Sequence, residues 1–286
     1  MALGQRKEIQ TTEKQITMEQ EKIIAYKGLD ENFKCRGFQY EVGKEYEEDG
    51  AICCEKGFHA CENPMDVWEY YSITDSRFAI VEQYDIIDKE DNKICSSKIK
   101  IKAELKFADF VKLCVDAVVD KCKLNSKNDN GGYYAQIGSS GNYAQIGSSG
   151  DYAQIGSSGN CARIGSSGNY AQIGSSGDYA QIGSSGNCAR IGSSGDYAQI
   201  GSSGNYARIG SSGDCARIKS EGQRAVIMCA GGNSKARAKK GSWITLAEYD
   251  DNRKPVCVKT EQVDGKRIKE DTWYQLIDGE FKEVKL

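Results

Sequence analysis

The chain has 286 residues and a net charge of only −3, which leaves room for two modest domains or for one domain and a repeat array. The charge is uneven: residues 1–132 hold 20 basic against 26 acidic residues, 133–218 balance four Arg against four Asp, and 219–286 hold 14 basic against 11 acidic. Such a distribution excludes a dominant nucleic-acid footprint and an acidic DNA mimic, and no run approaches the roughly 18 apolar residues that cross a bilayer.

Residues 1–22, rich in Gln, Glu and Lys, read as a flexible arm or short helix. The start lacks an apolar signal region, so secretion is not expected. The twelve cysteines include an adjacent pair, Cys53 and Cys54, and three that replace Tyr in a repeat. That context reads as reduced thiols in a cytoplasmic protein rather than a disulfide framework.

From residue 23 to 123 the pattern is that of an α+β head domain. "IIAYKGL" and "GFQYEVGKEYE" read as strands. In "ENPMDVWEYY", Asn63 caps a helix start, Pro64 takes its first position and Asp66 complements its positive end. "SRFAIVEQYDII" and "KICSSKIKIKAEL" are further strands. The segment "KFADFVKLCVDAVVDKC" sets Phe107, Phe110, Val111, Cys114, Val118 and Cys122 on one helical stripe that packs on a sheet. Residues 124–132 form a polar, turn-rich linker.

A nonapeptide repeat then runs through a segment assigned to residues 133–240. Ile recurs every nine residues from Ile137 to Ile218, with Ala two places before it. A period of nine with Gly-Ser-Ser-Gly between short runs is a solenoid signature. Alternation in Tyr-Ala-Gln-Ile turns Ala and Ile inward and Tyr and Gln outward. Burying Gln or Arg at every turn without partners costs several kcal/mol each, on the order of a desolvation penalty. Glycines are expected to supply the special turn conformations, with Ser and Asn or Asp satisfying turn backbone.

Two repeats make a flat 18-residue coil and three make a 27-residue triangle. The thin inward complement favours the flat form. The 27-residue recurrence of Cys161, Cys188 and Cys215 follows from a duplicated block, since 142–168 and 169–195 are identical. On the flat coil, Tyr143, Cys161, Tyr179, Tyr197 and Cys215 stack on one side and Tyr134, Tyr152, Tyr170, Cys188 and Tyr206 on the other. Residues 241–286 read as an antiparallel β-meander that caps the open end. The fold class is therefore mainly β: a parallel β-solenoid, two repeats per coil, between an α+β head and a β cap.

Cys35, Cys53, His59 and Cys61 form the one candidate zinc set, with irregular spacing and no paired knuckle; packed thiols around a buried His are the favoured reading. No cofactor is expected. Calcium is not expected, because Tyr or Cys falls where a calcium-binding nonapeptide needs Asp, and an ice-binding face would need outward small hydroxyls. The outward ladders offer the residue types of protein interfaces: Tyr152, Tyr170, Tyr179, Tyr197 and Tyr206 with Arg163, Arg190, Arg208 and Arg217. The "KARAKK" run at 235–240 could contact phosphates only non-specifically.

The segments "AYKGLDENFKCRGFQYEVGKEYE", "KGFHACENPMDV" and "SRFAIVEQ" resemble an uncharacterised family of phage, prophage and gut-bacterial proteins, whose members often continue into Ser/Gly/Ala repeats and end in a segment like "WITLAEYD…VDGKRIKEDTWYQLIDGEF". The resemblance implies a bacterial host cytosol and carries no settled activity. The leading expectation is a non-enzymatic protein that presents a rigid solenoid to a protein partner, in one form as an inhibitor of a bacterial defence complex of the CRISPR type. The alternatives are an enzyme acting on a nucleotide-like ligand through the head near His59, and a structural virion component. Oligomeric state is left open.

Overall fold

The computed structural model describes residues 22–125 and 132–286; the expected N-terminal arm and most of the linker lie outside these. The head is built on a five-stranded antiparallel sheet. Arg77–Glu90 and Lys93–Leu105 form its central hairpin, flanked by Ile23–Leu29 on one side and by Glu45–Glu47 and Phe58–Ala60 on the other. "GFQYEVGKEYE" is not one strand. It breaks into Phe38–Gln39 and Glu45–Glu47, because Gly43 turns the chain at φ +87°. Asn63 caps the segment after it, its side chain accepting from the Met65 N–H at 3.3 Å, but Pro64–Glu69 forms a 3₁₀ helix rather than an α-helix. Phe107–Asn125 is helix α1.

The repeats form a two-sided solenoid of about six turns over residues 136–246, with coils of about 18 residues. Each nonapeptide gives one four-residue strand, Gln/Arg-Ile-Gly-Ser, with Lys219 in place of Gly in Arg217–Ser220. Strands pair in parallel and in register with those 18 residues away, Ile155 with Ile137 and Ile173, Ile164 with Ile146 and Ile182. The inward Ile and Ala are buried along the array and form a single core that continues to Ile244, Leu246, Tyr274 and Leu276.

Three local expectations are corrected. Tyr does not lie in the strand. It and its Cys replacements occupy the turn before it at φ +56° to +59°, a left-handed conformation that costs a side-chain-bearing residue about 1 kcal/mol. The coil stack compensates. Each such N–H donates to a carbonyl of the next coil, that of Asn or Asp in the regular repeats, as Tyr143 to Asn160 at 2.8 Å, and that of Gln223 or Gly232 at the end of the array. Each Asn or Asp Oδ1 accepts from the next coil's backbone, as Asp151 does from Asn169 at 2.7 Å.

The repeat glycines are needed for closeness rather than for a left-handed turn. At Gly159, Gly168, Gly177 and Gly186 a Cβ would lie 1.9–2.1 Å from the carbonyl oxygen of the glycine one coil earlier. The first Ser of each pair is the third correction: it is the inward strand residue, not a turn residue. Ser157, Ser166, Ser175, Ser184, Ser193 and Ser202 are buried, and their hydroxyls lack a hydrogen-bond partner. Alternation explains it, since Ile inward and Gly outward put the next side chain back inside.

The C-terminal strands do not form a single meander. Trp243–Tyr249 still stacks in parallel on Val226–Cys229, so the coil runs past residue 240, and Pro255–Gln262 then closes that sheet antiparallel. Tyr274–Ile277 and Glu280–Glu283 close the other through Ala236. At its C-terminal end a two-sided solenoid presents two sheet edges, and each is covered by antiparallel strands.

Candidate functional site on the solenoid

The flat coil has two outer sheets made from the same letters, and the head covers one of them. The strands beginning at Gln145, Arg163, Gln181 and Gln199 lie beneath the 3₁₀ helix and α1. Their outward glycines make the fit possible: a Cβ on Gly147 would meet Val118 at 3.0 Å, on Gly165 Val115 at 3.0 Å, on Gly183 Trp68 at 3.0 Å, and on Gly201 the Phe107 ring at 2.5 Å. The helical stripe thus packs on the solenoid as well as on the head. Lys219 stands where the next glycine would be, its ammonium 5.5 Å from the Phe107 ring and 2.7 Å from Glu221, and ends the footprint.

Polar letters of this face are also engaged. Gln145 donates to Asp66 at 2.6 Å, Gln181 donates to the Trp68 carbonyl at 2.8 Å, and Gln199 accepts from Ser72 at 2.7 Å. Arg163, 6% exposed, lies 3.8 Å from Asp66 and 3.3 Å from Glu69. Arg217 sits 3.8 Å from Asp75. Of the nine ladder residues singled out from the sequence, Arg163 is therefore taken up inside the molecule and is not available on the surface, and Arg217 faces the head.

The opposite sheet is open. Gln136, Gln154, Gln172, Arg190 and Arg208 stand exposed around a shallow groove floored by Gly138, Gly156, Gly174 and Gly192, with Gly210 next in the same row. No atom outside the immediate chain neighbours lies within 4 Å of a Cβ built on any of these five glycines. Beyond Arg208, Val226, Met228 and Trp243 are exposed at 41%, 55% and 45%.

Along the adjoining edge, Tyr134 stacks on Tyr152 at 5.1 Å and Tyr152 on Tyr170 at 4.9 Å. Cys188 and Tyr206 continue this ladder, which Arg224 ends by donating to the Tyr206 hydroxyl at 3.0 Å. Tyr152, Tyr170, Cys188 and Tyr206 border one concavity with Gln172, Arg190 and Arg208. Tyr179 and Tyr197 stack at 5.0 Å on the other edge, before the covered strands. Tyr152, Tyr170, Tyr206, Arg190 and Arg208 are thus brought together, and Tyr179 and Tyr197 are not among them. Sequence reading missed Val226, Met228 and Trp243, although their break from the repeat's small outward letters marks them.

The cysteine and histidine set of the head is satisfied by other partners. His59 Nε2 accepts from the Cys54 N–H at 2.8 Å, so Nδ1 carries the proton and donates to the Gly57 carbonyl at 3.0 Å. Burial, with the nearby Lys27 charge, moves its pKa below the usual imidazole value. Cys53 donates through Sγ to the Asp88 carbonyl at 3.4 Å, Cys35 Sγ lies 2.9 Å from the Tyr71 hydroxyl, and burial pushes Cys61 up to about 12. Among the described residues no three His, Cys, Asp or Glu side chains are grouped to hold a metal ion, and every cysteine with a described side chain is a free thiol. No helix among them is long and apolar enough to cross a membrane.

Residues 23–113 match the model of a domain of unknown function (DUF7666), which spans the head sheet and the first turns of α1. No curated protein and no solved structure matches the chain.

Proposed function

We propose that the protein is a non-enzymatic binding protein whose open solenoid face receives a protein partner. The observation that carries this reading is the pairing of two faces written in the same repeat, one occupied by a helix and acidic residues, the other bare. On the covered face, glycines admit the apolar side chains of α1 and of the 3₁₀ helix, while Gln and Arg hold polar groups and carboxylates of the 3₁₀ helix and the residues that follow it, from Asp66 to Asp75. The open face offers the same glycine groove, and its Arg190 and Arg208 have no ion pair among the described residues. The partner that fits is a helix with an apolar stripe flanked by carboxylates, with Val226, Met228, Trp243 and the Tyr152–Tyr206 ladder as further contacts. An inhibitor of a bacterial defence complex, carried by a phage or prophage, is the narrower form of this proposal. The enzyme alternative gains nothing from His59, whose two ring nitrogens are both engaged by backbone.

The test compares three full-length proteins as bait in a bacterial lysate: the native chain, Arg190→Glu with Arg208→Glu, and Tyr179→Ala with Tyr197→Ala. The binding is then rebuilt from two purified proteins. The reading predicts a partner held by the native chain and by the Tyr179/Tyr197 variant but lost with the Arg190/Arg208 variant. Equal capture by all three, or capture abolished by nuclease, overturns it.

A further inference from the structure

The head contains a cleft of about 350 Å³ lined by Lys27 and His59 of its main sheet and by Cys35 of the short Lys34–Cys35 strand. This volume lies at the small end of ligand sites. Phe38, Tyr40, Tyr70 and Tyr71 are among its walls. Tyr71 reaches its place because Gly28 has no side chain: a Cβ there would fall 2.2 Å from the Tyr71 ring.

Lys27 lines the cleft and is only 3% exposed. Its ammonium donates to the His59 carbonyl at 2.7 Å and lies 5.2 Å from the Tyr40 ring. No carboxylate pairs with it among the described residues. A buried ammonium held by one carbonyl, the neighbouring Cys35 thiol and one aromatic face has no carboxylate to supply the counter-charge that burial normally demands, and burial lowers its pKa against the opposing influence of Cys35.

The rim adds to the positive field. Arg36 is exposed and held at φ +48°, and Lys93 lies 4.0 Å from the Tyr70 ring centre. Against these cations the lining sets two carboxylates, the exposed Glu55 and Glu48, which accepts from the Gly57 N–H at 3.1 Å; Lys56 is paired with Asp49 at 2.5 Å. An enclosed cation without an anion, two rim cations and aromatic walls are complementary to one class of molecule.

We propose that the head cleft binds a small aromatic anion, its ring between the tyrosine and phenylalanine walls and its phosphate or carboxylate directed at Lys27, Arg36 and Lys93. This site is independent of the open solenoid face, so either proposal can fail without the other.

Calorimetric titration of the full chain at pH 7 with adenosine monophosphate, phenyl phosphate and benzoate tests it. At least one is expected to bind at one site per chain; benzoate alone identifies a carboxylate site, the two phosphates alone a phosphate site. Lys27→Met should weaken that binding at least tenfold. The double variant Arg36→Ala/Lys93→Ala changes only rim side chains, so it serves even if the Lys27 variant does not fold, and should weaken binding at least fivefold. Binding of none of the three probes to the native chain overturns the proposal, as does unchanged affinity in the rim variant or in a folded Lys27→Met protein.

Discussion

Arg163 and Arg190 occupy the same place in two identical blocks, 142–168 and 169–195, yet one is buried against two carboxylates and the other is exposed to solvent. The difference is arithmetic. The block holds three nonapeptides and the coil holds two, so each duplication moves every letter to the opposite face. Neither face could be specialised by this sequence alone; the head specialises one by covering it. The same Gly-Ile-Arg vocabulary is therefore an intramolecular interface on one side and a free surface on the other.

The largest expected effect removes both faces together. Gly186→Ala drives a Cβ to 1.9 Å from the Gly168 carbonyl oxygen, backbone that cannot give without parting two coils. Thermal or urea unfolding should show a loss of about 3 kcal/mol. Next comes the paired arginine substitution. Arg163→Met strips Asp66 and Glu69 of their shared cation and should cost about 2 kcal/mol, discounted from the figure for a fully buried pair because Glu69 is partly exposed. Arg190→Met should stay within about 0.5 kcal/mol of the native chain; equal losses would mean that the head does not discriminate between the faces.

Smaller effects test what the faces share. Ser184 and Ser193 point into the common core from opposite sheets with hydroxyls that lack partners. Ser184→Ala and Ser193→Ala should each stabilise by about 1 kcal/mol, and by the same amount, since the core does not distinguish the sides. The smallest effect belongs to the head alone. His59 is held neutral with its pKa below the unfolded value of 6.5. Between the folded pKa and 6.5 the unfolded chain binds the proton that the folded chain does not, so stability is full above 6.5 and falls as pH drops toward the folded pKa. Urea midpoints measured from pH 7.5 to 5 should decline more steeply for the native protein than for His59→Gln.

Much of this architecture was legible in the letters. Ala and Ile at a spacing of two, repeated every nine, identified the inward pair, and the thinness of that pair identified the two-repeat coil. Two features escaped for a physical reason. Tyr is an improbable residue at positive φ, so the rule that gives such turns to glycine misassigned them, whereas the glycines are spent on backbone contact between coils that only a three-dimensional stack creates. Buried Ser was missed because hydroxyls are ordinarily placed at the surface.

The covered face was illegible because its letters are those of the open one. Its only local traces are Lys219 in place of a glycine and an apolar stripe from Phe107 to Val118 with more to cover than the head sheet alone. The ladder residues were found as a set, but which of them share a surface depends on the parity of the coil. Lys27, by contrast, sits in an ordinary strand, and nothing in "IIAYKGL" marks its burial.

The central claim, one face covered and one open, is tested most directly by placing the same large side chain on each. Gly183 lies under Trp68, Ile73 and Val111, each within 3.1 Å of a built Cβ, whereas Gly192 has nothing within 4 Å. Thermal unfolding of Gly183→Trp and Gly192→Trp should separate them: a fall of about 10 °C or more for the first and a shift of no more than about 2 °C for the second. Equal shifts for the two variants would contradict the account.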